Sequence, residues 1–96
     1  MTATAAELLE RLQESDEPIL LADGLEDALI GTAETWQRCP EGGAERVTVA
    51  VYSLEKCINV LVERDGMDFD GALEFLEFNT IGAYVGKQTP IFVYDF

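Results

Sequence analysis

Apolar residues recur at helical spacing in three stretches of this chain, and β-branched residues cluster in two shorter ones. In the first stretch, Ala5, Leu8, Leu9 and Leu12 fall at i, i+3, i+4 and i+7, so they share one face of a helix over residues 4–14. Thr4 and Glu7 have the spacing of a capping box. Pro18 closes the helix, because it biases Glu17 away from helical dihedrals. Ile19-Leu20-Leu21 is a short apolar run with the look of a marginal strand, and Ala22-Asp23-Gly24 turns it. Leu25–Gly31 is ambiguous; one reading is a helical turn leading into a strand over residues 28–32. Residues 33–45 read as a loop broken by Pro40 and Gly42-Gly43, with Trp36 the least explained apolar residue in it.

Residues 46–52 carry Val47, Thr48, Val49 and Val51 and predict a central strand. Ser53 then caps a second helix over residues 54–64, with Leu54, Cys57, Ile58 and Leu61 on its apolar face and Gly66 as its stop. Asp68 caps a third helix that runs from Phe69 into the low eighties, loosened at Gly82 and Gly86. Phe69, Ala72, Leu73 and Leu76 make its stripe, broadened by Phe75 and Phe78. A last strand covers residues 91–94. This order predicts one α+β domain over residues 1–96: a small, mainly antiparallel sheet of three to four strands packed with about three helices.

Charge adds the loudest signal. Nineteen Asp and Glu face six Lys and Arg, for a net charge of −13 with no histidine. Such a field repels nucleic acid and anionic membranes and attracts basic surfaces, so neither direct nucleic-acid binding nor membrane binding is expected. No N-terminal basic-then-apolar signal is visible, and no apolar run approaches the ~20 residues that cross a bilayer. Two cysteines make no disulfide framework; Cys57 reads as a small buried hydrophobe, and a reducing compartment is the simpler setting.

The catalytic inventory is thin, and neither an enzyme nor a cofactor is expected. Without histidine there is no Ser-His or Cys-His pair to activate a nucleophile. Asp68, Asp70 and Glu77 would fall at calcium-liganding positions if Gly71 were the sharp-turn glycine of a calcium loop. The first liganding position would then be Gly66, which has no side-chain oxygen, and Asp68 with Asp65 and Asp70 reads better as a helix cap and a solvated acidic face. No metal site is expected.

The arrangement of acids says more than their number. Glu7, Glu10 and Glu14 share one side of the first helix, and Asp70, Glu74 and Glu77 lie opposite the apolar stripe of the third. Carboxylates at i, i+4 rise ~6 Å along a helix, within range of neighbouring phosphates along an extended nucleic-acid strand. These six are the candidate partner-binding residues, set against the plainer reading of a solvated surface.

Three segments also resemble a family of small uncharacterised proteins of tailed bacteriophages and prophages. They are residues 22–31 (Ala-Asp-Gly-Leu-Glu-Asp-Ala-Leu-Ile-Gly), 49–58 (Val-Ala-Val-Tyr leading to Lys56-Cys57-Ile58), and 75–92, with Phe-Asn-x-x-Gly-Ala-Tyr-Val-Gly its most specific part. The resemblance implies a phage or prophage origin and residence in the cytoplasm of a bacterial host; it implies no activity. Joined to the charge, it leads to an expected role as an acidic inhibitor of a nucleic-acid-handling host defence complex, anti-CRISPR or anti-restriction in kind, acting without catalysis as a nucleic-acid mimic on a basic protein surface. The alternative is a non-mimic accessory protein that forms a homodimer through a free strand edge or exposed aromatics, with Trp36, Tyr84, Tyr94 and Phe96 as candidates.

Overall fold

The longest regular feature is a hairpin of two ten-residue strands, Leu29–Arg38 (β1) and Ala44–Ser53 (β2). They pair antiparallel from Leu29 opposite Tyr52 to Arg38 opposite Ala44, with one irregularity between Leu29 and Gly31. The expected loop over residues 33–45 is thereby corrected: only residues 39–43 turn, where Gly42 and Gly43 take φ of 101° and 78°. Trp36 belongs to the strand. Gly31, Ala33, Thr35 and Gln37 are the less exposed positions of β1, on the sheet face of Val49 and Val51; they alternate in burial but not in hydrophobicity, so the period of two is silent in the sequence.

The computed structural model describes residues 4–16, 19–22, 24–81 and 88–96. The expected helix stop at Glu17-Pro18, Asp23 of the following turn, the loosening at Gly82 and Gly86, and Tyr84 lie outside the described residues. Ala5–Gln13 (α1) forms as the spacing requires: Thr4 Oγ1 accepts the Glu7 N–H at 3.1 Å, and Leu8, Leu9 and Leu12 pack half-buried on the core. Ile19–Ala22 is not a strand. Its backbone makes isolated hydrogen bonds, among them the Leu20 N–H to the Gln88 carbonyl at 3.4 Å and the Ala22 N–H to Tyr52 Oη at 2.9 Å. A 3-10 turn, Glu26–Ala28, then enters β1, as one reading of that stretch proposed.

Ser53 ends β2 and caps Leu54–Asp65 (α2), its Oγ accepting the Lys56 N–H at 3.1 Å. Gly66, at φ 71°, stops that helix in the left-handed conformation. Asp68 caps Phe69–Leu76 (α3) through the Gly71 N–H at 2.7 Å, and a π-helical turn, Glu77–Ile81, continues it. The last strand, Ile91–Val93 (β3), pairs parallel with β2, so the sheet order is β1-β2-β3 and β2 is central. A parallel pair needs a long crossover, and the α2–α3 pair supplies it. Over the described residues the fold is α+β, with three α-helices and a mixed, mainly antiparallel, three-stranded sheet.

The core lies where the inner end of the sheet meets α2. Ala50, Tyr52, Leu54, Cys57, Ile58, Leu61, Ala72 and Leu76 are buried together with Leu25, Ala28 and Leu29. Tyr52 is the largest fully buried side chain; its ring stacks on Phe92 at 5.4 Å. The stripe expected of α3 is corrected in part. Ala72 and Leu76 are buried, but Phe69 and Phe75 are 44% and 43% exposed and Phe78 is 86% exposed. At about 100° per residue, Phe75 and Phe78 point well away from the Leu76 direction, so they cannot share its core face.

Truncating Ile58 to Ala should therefore lower unfolding free energy by about 2–5 kcal/mol. Phe78→Ala should stay within about 0.5 kcal/mol. Urea midpoints at constant slope compare the two.

Candidate protein-interaction surface

The six carboxylates singled out from the sequence are all exposed. Their surroundings differ. Glu7 lies in the α1 cap, its Oε1 accepting from Thr4 Oγ1 at 3.1 Å. Glu10 and Glu14 follow along the helix with exposed side chains. On α3 and its π turn, Glu77 accepts the Tyr94 hydroxyl at 2.9 Å, and that hydrogen bond holds the phenol above its ordinary pKa. Asp70 and Glu74 stand exposed on the outer side of α3.

The two rows are held by different supports. α1 packs on β1 and the 3-10 turn, whereas α3 packs on α2 and runs on into the π turn. Both helices carry side-chain caps, at Thr4 and Asp68. They are not fused into one helix–helix face.

Beside Glu74 the structure adds a feature that the sequence reading assigned to the core. Gly71, Glu74, Phe75, Phe78 and Asn79 line an open groove on the outward side of α3. Gly71 is the third residue of that helix, not the turn of a calcium loop, and Asp68 spends its side chain on the Gly71 N–H. A helical projection would have found the groove, since these residues fall at i, i+3, i+4, i+7 and i+8, about 110° round the helix from Ala72 and Leu76. Trp36, 70% exposed, is a second large apolar group on the surface. Among the described residues no cluster of three metal-ligating side chains occurs. Among the same residues, no helix is long and apolar enough to cross a membrane.

A segment after β3 is tied down by three consecutive side chains. Tyr94 reaches Glu77, and Phe96 meets Phe69 edge-on at 5.3 Å. Between them, Asp95 accepts from the Ser53 hydroxyl and, at 3.0 Å, from the Glu55 N–H. These bonds place a carboxylate at the N-terminus of α2, where the helix dipole and free N–H groups favour negative charge. The Ser53 hydrogen bond, then that from Glu55, holds Asp95 below its ordinary pKa of 3.8. Burial, and secondarily the Asp95 charge, pushes the Cys57 thiol from 9.0 up to about 12. Cys57 is thus a protonated, enclosed hydrophobe at neutral pH, as its position on the helix implied.

Comparison with known proteins finds no matching family, no matching curated protein and no matching solved structure.

The Asp95 contact gives a pH dependence of known sign. Its folded pKa is depressed, so its contribution is present above the unfolded value and is lost as pH falls through the folded one. Asp95→Asn should cost about 0.5–1 kcal/mol at pH 7, discounted for solvent screening. The gap between the two proteins should narrow as pH falls below 3.8 and through the depressed folded value, in parallel urea titrations.

Proposed function

We propose that this chain is a phage-encoded, acidic protein-binding inhibitor that occupies the basic, nucleic-acid-handling surface of a host defence complex of the CRISPR or restriction class. The observation that carries the reading is the exposure of all six helix-borne carboxylates in a chain of net charge −13. Rows of acids on capped helices present charge on backbone that is already folded, which lowers the ordering cost of binding, and a surface built for phosphates is the complementary partner. Association would be steered by the long-range field and weakened by salt. The groove beside Glu74 suits the same partner, because Phe75 and Phe78 offer aromatic faces to guanidinium groups while Glu74 offers a carboxylate.

Binding to the host cytoplasm's nucleic-acid-handling proteins is tested with the tagged chain in host lysate at low and moderate salt. A nucleic-acid-binding complex recovered at low salt and lost as salt rises is the expected result. Glu10, Glu14, Asp70 and Glu74 are the side chains to reverse, since Glu7 and Glu77 also serve the α1 cap and Tyr94. Reversing these four to Lys should weaken binding by more than about tenfold with an unchanged circular dichroism spectrum. Full binding and inhibition by the folded, reversed protein would rule the reading out.

A further inference from the structure

β1 ends the sheet on one side, and among the described residues no strand pairs with its outer edge. From Gly31 to Arg38 its register against β2 is regular, so that edge is a continuous extended template. It carries neither the proline nor the lysine that commonly blocks such an edge. Its outer half presents Trp36, which the fold leaves 70% exposed.

We infer that this edge pairs with the same edge of a second copy of the chain, antiparallel and centred on Trp36, to form a two-fold symmetric dimer. The charges of the strand select that register. Glu34, Trp36 and Arg38 alternate along β1 and share one face. A two-fold axis at Trp36 sets Glu34 opposite Arg38 of the second copy, and Arg38 opposite its Glu34, with the two indoles facing each other between them. Opposite-charge and aromatic pairs directly across an antiparallel ladder are the favourable ones. Glu34 already accepts Arg46 Nε at 3.0 Å, which holds its carboxylate on this face.

Charge also explains why a second copy fits here and a basic partner does not. A chain of net charge −13 repels itself over most of its surface. The hairpin is the exception: residues 29–53 hold Glu34, Glu41 and Glu45 against Arg38 and Arg46, and β1 itself is balanced. Copies therefore meet there with least repulsion, and a basic partner finds little excess charge to bind. Leu8 and Leu12 of α1 lie by Thr32 and Thr48. Thr32 is four residues from the axis, ~13 Å along the strand, so the two α1 helices fall on opposite sides of it.

Sedimentation velocity of the full chain across micromolar to millimolar concentrations tests the dimer. The expected result is a monomer–dimer equilibrium, with Trp36→Ala weakening association about tenfold. Arg38→Glu and Glu34→Lys should each weaken it by placing like charges opposite one another. Mixing those two variants should restore association as a heterodimer, because both cross-strand pairs become complementary again. A monomer at every concentration would overturn the proposal. So would a dimer indifferent to Trp36→Ala and Arg38→Glu, or a mixture that fails to associate while both variants remain folded by circular dichroism.

Discussion

The junction at Ser53 is what the rest of the structure depends on. One buried residue ends the central strand, caps α2 through the Lys56 N–H, and donates its own proton to Asp95. No linker separates strand from helix, so the helix axis is fixed relative to the sheet by a few backbone dihedrals. Leu54, Cys57, Ile58 and Leu61 then fall over Ala50 and Tyr52. Asp95 adds a carboxylate to the same N-terminus from 40 residues away in the chain, which ties the end of the parallel strand to the start of the crossover helix. The sheet, the crossover and the segment after β3 thus converge on one hydrogen-bonded point.

That arrangement separates two tasks. The core is built at the inner end of the sheet from small and medium side chains around Tyr52. The acids are carried on capped helices around it, outside the core, where their mutual repulsion is screened by water and counterions. The hairpin extends beyond the core with nearly balanced charge and an exposed indole.

Much of the fold was legible because local patterns agreed with tertiary burial. Thr4, Ser53 and Asp68 were readable as caps from their position ahead of apolar helical periods, and each accepts the N–H that its position requires. The central strand was readable from Val47, Val49 and Val51. β1 was readable only at its start, residues 28–32 in one reading; beyond that its half-buried face is made of Ala33, Thr35 and Gln37 and depends on β2 for its partners. Ile19–Leu21 misled in the opposite sense: three apolar residues in a row are half-buried by packing without joining a ladder. Of the candidate surface, the six acids were legible as exposed, since charge at helical spacing opposite an apolar stripe seldom faces inward. The groove beside Glu74 was hidden because a run such as Phe75-Leu76-Glu77-Phe78 reads as one apolar stripe until its angular positions are fixed by the helix.

By itself the sequence determined the α+β class, the helices with their caps, the central strand and the outward placement of the acids. These follow from periodicity, capping chemistry and the cost of burying charge, all of which act over a few residues. Only the tertiary structure decided the long hairpin, the parallel pairing of β3, the outward turn of Phe75 and Phe78, and the reach of Asp95 to Ser53. Each of these joins residues distant in the chain or depends on which side of an element is already covered, and short-range pattern carries no record of either.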